Sequence, residues 1–322
     1  DSTAKSDEVK FASSDINSDI MNVSFANQTS DFEPQFWDNR VSDYSGLIQQ
    51  VDMAGALANA VYAGVNLNLK VASMTVSSDN DAFHAGYALT MSSGDYLVMS
   101  SGNDAFYAGD IITIDGGVIT VLSCFQGMDS TKVIFNEGRA RIKSSDNGIN
   151  VVGRLGNIGG ETGSSQHKFA INNGNIFIDC EGHGIHSEGD VELNDGEVVI
   201  HGASGTKAEE KAIINQLGYL KTVQSKSVLY GTAFNGMRNR AYKDSFPTLV
   251  IHFNEVQPAG TKISIYAPHR QMEFVNFTST KPFRTAAFAA PDFSFAIFVS
   301  VRVNGKQVAY PTLANRIQCV TD

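Results

Sequence analysis

Proline is scarce in this chain, 7 among 322 residues, and charged side chains make up only 18%. Small polar residues fill the outward positions instead, as in secreted β-rich proteins rather than helical cytosolic enzymes. Basic residues are outnumbered 24 to 34, for a formal net charge of −10. Nucleic acid and anionic membranes both need basic surface, so neither is the expected main partner. No apolar run approaches the length that spans a bilayer. Three cysteines, Cys124, Cys180 and Cys319, are too few for a disulfide framework. No Gly-x-Ser-x-Gly, His-Glu-x-x-His or Cys–His pairing appears. The chain opens at Asp1 without Met, in a soft polar stretch. That is what a mature N-terminus looks like after signal removal, so a secreted chain is expected.

What is present is a repeat. Asn59-Ala-Val-Tyr-Ala-Gly64 returns as Asp81-Ala-Phe-His-Ala-Gly86 and as Asp104-Ala-Phe-Tyr-Ala-Gly109. Looser copies follow at Gln126, Asn147 and His183, and successive copies start 22, 23, 22, 21 and 36 residues apart. Between them lie two short alternating strands around a small residue, as in Ile112-Thr-Ile114-Asp-Gly-Gly117-Val-Ile119-Thr-Val121. A period near 22 with period-2 alternation inside each copy predicts a solenoid of about three short strands per coil. Stacked coils bury columns of like residues that no single coil can bury alone. The glycine column marks a bend where φ > 0 is needed. On this register Cys124 and Cys180 lie two coils apart, at about 4.8 Å per coil, too far for a bridge. All three cysteines read as small buried apolar residues.

The expected organisation is an N-terminal segment and cap over 1–58, a parallel β-helix over 59–240 and a C-terminal β extension over 241–322. Leu47, Val51, Ala54 and Leu57 share one helical face, which suits a cap over the open solenoid end. The longer interval holds a Gly- and Ser-rich insertion, roughly 153–168, expected as a surface loop. Residues 207–215 read as a short helix or long turn, and 220–230 as a last degenerate coil. The tail shows longer alternating strands, Leu249–Phe253, Lys262–Tyr266, Met272–Phe277 and Phe293–Val303. Asn304-Gly305 is a type I′ hairpin signal.

The Asp-Ala-Phe-x-Ala-Gly and Ile-Thr-Ile-Asp-Gly-Gly-Val-Ile-Thr-Val strings resemble repeats of secreted bacterial carbohydrate-binding β-helix proteins of the polygalacturonate-binding type. The tail resembles that family too: Ala212-Ile-Ile, Val228-Leu-Tyr-Gly, Gly236-Met237, Leu249-Val-Ile-His-Phe, Ala259-Gly-Thr and Val303-Asn-Gly come in the family's order. The resemblance covers roughly residues 60–305. It implies an all-β, right-handed parallel β-helix, pectate-lyase-like in shape. It also implies binding of an acidic plant polysaccharide, bound calcium and a place at the cell surface. Gln126, Asn147 and His183 stand where the family prefers Asp, and Lys226 sits near the glycine column; both departures bear on the number of metal sites.

Two columns and one strand are the candidate sites. Asp79, Asp81, Asn103, Asp104, Asp129 and Asp146 concentrate oxygen along one turn ridge and are candidate calcium ligands, since calcium takes six to eight oxygens. The same residue types cap turns by bonding backbone N–H groups. Beside them Tyr62, His84, Tyr107 and His186 form a column of rings for packing on sugars, or a ladder that only stabilises the turn. Arg139, Arg141 and Lys143 alternate on one strand and face outward, positioned for a carboxylate polymer. The expected function is non-catalytic binding of an acidic polysaccharide at the cell surface, with calcium. The alternatives are a structural subunit of an extracellular fibre or adhesin, acting as a homo-oligomer or filament, and a polysaccharide lyase using Arg139 or Arg141 as base.

Overall fold

The computed structural model describes residues 9–24, 59–153, 166–204, 208–222, 227–238, 241–242, 248–290, 293, 299–309 and 317–320. The expected cap helix at 46–57 and most of the insertion lie outside these residues. The described chain is all-β with almost no helix: two single 3₁₀ turns, Ala208–Glu210 and Pro268–Arg270, interrupt a large, mostly parallel sheet and a smaller four-stranded one. No helix among the described residues is long and apolar enough to cross a membrane.

Each repeat supplies three strands, and each strand pairs in parallel with its counterpart one repeat on. Phe83–Ala85 lies on Phe106–Ala108, Ile111–Ile114 on Lys132–Phe135, and Arg139–Ser144 on Asn175–Cys180. The register puts like on like: Phe83 on Phe106, Ile112 on Val133, Ile142 on Ile178. The stacked Phe83 and Phe106 rings lie 5.0 Å apart and 3° from parallel. Alternation follows directly: Arg139–Ser144 is buried at every second residue, so Ala140, Ile142 and Ser144 enter the core and the three cations stay out. The longer interval leaves the register intact, since Ile149 still pairs with Ile185 and Val133 with Phe169. Cys124 and Cys180 are buried, each opposite Ser144 on either side, and burial pushes both thiols up to about 12. The side chain of Cys319 lies outside the described residues.

Gly117, Gly138, Gly174 and Gly196 occupy one column, all at positive φ. A Cβ on Gly138 would sit 2.6 Å from the Gly117 carbonyl oxygen. The column therefore needs glycine for conformation and for close approach of one repeat to the next.

Past the repeats the pairing changes sense. Phe283–Ala289 runs antiparallel to both Ser227–Ala233 and Leu249–Gln257. Nothing in the alternation signalled this strand, because nearly all its residues are buried. Ala287 and Ala289 face the core of the repeats, while Phe288 and Ala286 face a second core. That second core includes the four-stranded antiparallel sheet of Lys262–Ala267, Met272–Thr278, Ser300–Val303 and Lys306–Ala309. Asn304 and Gly305, both at positive φ, make the hairpin turn that their sequence signals. Residues 208–216 resolve into the 3₁₀ turn and the strand Ala212–Gln216.

One loop of the C-terminal part clasps the outer face of the repeats. The Lys281 ammonium bonds Asp179, Glu181 (2.8 Å) and the Cys180 carbonyl (2.8 Å). Burial alone would lower its pKa, but the two carboxylates outweigh that and raise it. His201, buried at 3% exposure, stacks on Phe277 at 5.2 Å and accepts the Thr280 N–H at Nδ1, 3.2 Å. Burial, only partly countered by Asp179 and reinforced by Lys281, lowers its pKa to about 4. The folded state thus binds fewer protons than the unfolded state, where histidine titrates near 6.5. The stability His201 contributes is full above pH 6.5 and falls as pH drops toward 4. Urea unfolding at pH 7.5 and pH 4.5 is expected to show wild type losing about 2 kcal/mol more than His201→Phe; equal losses would contradict the buried neutral ring.

Candidate functional site

The outward face of one strand set carries a graded surface. Its columns are Asp95, Leu97 and Met99 from Ala88–Ser101; Val118, Thr120 and Leu122 from Val118–Cys124; Arg139, Arg141 and Lys143; and Asn175, Phe177 and Asp179 from Asn175–Cys180. The register sets Val118, Arg139 and Asn175 in one row and Leu97, Thr120, Arg141 and Phe177 in the next. Here a shallow groove is lined by Val118, Thr120, Arg139, Arg141, Asn175 and Phe177, with Glu197 at its edge, and it continues over Leu122 and Lys143. The clasp of His201, Phe277 and Lys281 stands at its far side, with His201 5.1 Å from the Phe177 ring.

All three cations are exposed. Among the described residues no carboxylate lies within ion-pair distance of any of them. Asp179, the register neighbour of Lys143, is bonded to Lys281. The Arg141 guanidinium sits 5.1 Å over the Phe177 ring, a cation–π contact that orients it. In a protein of net charge −10, a column of three cations without acid partners is a local positive site held on rigid strands.

The turn ridge looks different from within. Asp81 Oδ1 accepts the Asn103 side-chain N–H (2.8 Å) and the Asp104 backbone N–H (3.1 Å), and Oδ2 takes His84 Nδ1 at 2.7 Å. Asn59 does the same for Asn80 and Asp81 one repeat earlier. Further along, Asn147 Oδ1 accepts the His183 N–H, and His183 Nδ1 accepts the Ala212 N–H. Asp129, fully buried, accepts from Asn150, and Asp146 faces Lys211 at 3.5 Å. Asp104 is buried, and Asp79 has contacts within the protein. At Asn59, Asp81 and Asn147 the ridge is a ladder in which one repeat's side chain holds the next repeat's backbone. Among the described residues no three His, Cys, Asp or Glu side chains gather as metal ligands. The oxygens of Asp81 point to their hydrogen-bond donors.

The ring column is likewise engaged with itself. Tyr62 and His84 stack at 5.1 Å, and His84 and Tyr107 at 4.4 Å. Both faces of His84 are covered by its neighbours, leaving edges rather than faces toward solvent. His186 belongs to the same register column but is separated by Asp129 and Asn150. Its Nδ1 faces the Asn215 amide at 2.9 Å, and burial lowers its pKa. The structure therefore brings Arg139 and Arg141 together at a groove, places Asp81, Asn103 and Asp104 on the ladder and stacks Tyr62, His84 and Tyr107 on one another.

Residues 48–208, half of the chain, match a protein family described as carbohydrate-binding domain-containing protein. The chain belongs to that family. The matched stretch contains every strand that lines the groove and ends before the C-terminal sheet. No curated protein and no solved structure matches the chain.

Three features escaped the sequence. Phe177 lies between the inward Ile176 and Ile178, so parity alone would have placed it outward. Lys281 reaches the face from 101 residues away, with no local signal. A second ladder runs along the glycine turns, where Asn136 donates to Asp115, Asn172 to Asn136 and Asn194 to Asn172, at 2.7 to 2.8 Å. Its signal is an Asp or Asn two residues before each column glycine. If the ridge is a hydrogen-bond ladder, Asp81→Ala removes the acceptor of the buried Asp104 N–H and the partner of the half-buried Asn103 and His84 side chains, and is expected to lower stability by about 1–3 kcal/mol. Thermal unfolding of the wild type should be unchanged by a calcium chelator; a chelator effect as large as the mutation would contradict the ladder.

Proposed function

We propose that this family member is a right-handed parallel β-helix, secreted, that binds an acidic polysaccharide of the polygalacturonate kind at the cell surface without cleaving it. The carrying observation is the exposed column Arg139, Arg141 and Lys143, with no carboxylate in ion-pair distance among the described residues, beside the Phe177 ring. Guanidinium groups bond carboxylates through two parallel N–H donors, and successive outward side chains on a strand lie about 6.6–6.8 Å apart. Cations at that spacing offer successive carboxylates of a polymer separate partners. Phe177 supports Arg141 from below. Thr120 and Asn175 supply hydroxyl and amide partners on either side of the cations. Family membership supports the carbohydrate; the cations support its acidity. The groove brings its own positive charge, so the glycan needs no bridging calcium here.

Retention on immobilised polygalacturonate, with a neutral glucan beside it, tests this. Wild type is expected to be retained on the acidic polymer only, to elute with salt because exposed charge pairs are screened, and to stay bound in chelator. Arg139→Gln with Arg141→Gln is expected to weaken binding at least tenfold, on the order of 1.4 kcal/mol. Retention lost on chelation would place calcium in the interface and contradict the cation column. Unsaturated uronate product, seen by ultraviolet absorbance, would make the protein a lyase instead.

A further inference from the structure

The cation column is not flanked alike on its two sides. Toward Asn175–Cys180 it meets an amide, a ring and a paired carboxylate. Toward Val118–Cys124 and Ala88–Ser101 it meets an apolar strip. Met99, Val118 and Leu122 stand 51%, 43% and 49% exposed, and Leu97 is half-buried among them. Val118 pairs directly with Arg139, so the strip begins one strand spacing, about 4.8 Å, from the cations. Thr120 interrupts it, and Asp95, exposed opposite Val118, ends it on the Ala88–Ser101 strand.

A bare polyuronate suits the cations and not the strip. Its sugars carry hydroxyls around the ring, and pressing those on Val118, Leu122 and Met99 removes their water without giving them partners. An acyl ester on such a hydroxyl changes both terms. It caps the hydroxyl, and its methyl group reaches an apolar surface while the carboxylate remains on the arginines. Contiguous apolar area rimmed by polar residues marks a recognition surface, and this one is continuous with the groove.

Resting on the acidic-glycan reading above, we propose that the groove selects acidic glycans bearing O-acyl groups, with the carboxylates on Arg139 and Arg141 and the acyl methyls on the strip of Leu97, Met99, Val118 and Leu122. Arg139 and Arg141 set the charge of the ligand, and the strip sets its substitution.

The test compares one O-acetylated polygalacturonate with the same preparation de-O-acetylated by mild base, by calorimetry on the full chain. The acetylated polymer is expected to bind about three- to fivefold tighter per methyl seated. Leu122→Asn and Met99→Gln, both exposed and expected to melt as wild type does, should bring the ratio of the two affinities toward one. Arg141→Gln should weaken both ligands and leave the ratio standing. Equal affinities with binding intact overturn the acyl selectivity and leave the acidic-glycan reading in place. Binding to neither polymer overturns that reading, and the acyl selectivity falls with it. A dimer that Leu122→Asn dissolves and that acetylated glycan does not compete assigns the strip to a second copy of the chain and overturns the proposal.

Discussion

In-register parallel pairing of one repeat on the next is the constraint from which the rest follows. Backbone hydrogen bonds set the rise at one strand spacing per repeat. At that spacing every column must tolerate its own kind as neighbour. Phenylalanine, isoleucine and valine columns do so by burying each other. Polar columns do so where a side chain can donate to one neighbour and accept from the other, as Asn136 and Asn172 do between Asp115 and Asn194. Glycine columns do so because a Cβ would meet the carbonyl above.

The same constraint makes the groove unusual. Stacking like charges at strand spacing is unfavourable; where this chain sets Lys132 on Lys168 each cation is paired with a carboxylate, Asp110 and Glu192, and on the groove face it does not stack cations. It aligns Arg139, Arg141 and Lys143 along a single strand instead, with Thr120 and Val118 on one side and Phe177 and Asn175 on the other. The cations are separated along the strand rather than across it, and the carboxylates in the row of Arg139, Asp95 and Glu197, stand two strand spacings away on either side. The C-terminal part then walls the face with Lys281 and Phe277, engaging Asp179, which the register would otherwise set against Lys143.

Much of this was legible in the sequence, for a physical reason. Repeats at a fixed period and alternation at period 2 are direct images of the pairing, so the columns, their inward and outward sense and the outward cations could be read from residue types. The tail hairpin at Asn304-Gly305 was equally plain. Other features are not properties of single positions. That Asp81 gives its oxygens to Asn103, Asp104 and His84 depends on distances across repeats, and an Asp-rich turn reads the same whether its oxygens hold backbone or metal. That Tyr62, His84 and Tyr107 stack on each other follows from their register, which leaves ring edges outward. Phe283–Ala289 had no alternation to show because it separates two cores.

The central claim is that the Arg139–Ser144 strand presents the carboxylate-binding charges. Carbodiimide coupling tests it most directly, by joining a glycan carboxylate to whichever lysine amine it touches and then mapping the modified residue by mass spectrometry. The account expects the polygalacturonate adduct at Lys143, suppressed by high salt and by Arg139→Gln with Arg141→Gln. Adducts concentrated on lysines away from this face, such as Lys70 or Lys262, with Lys143 unmodified, would contradict it.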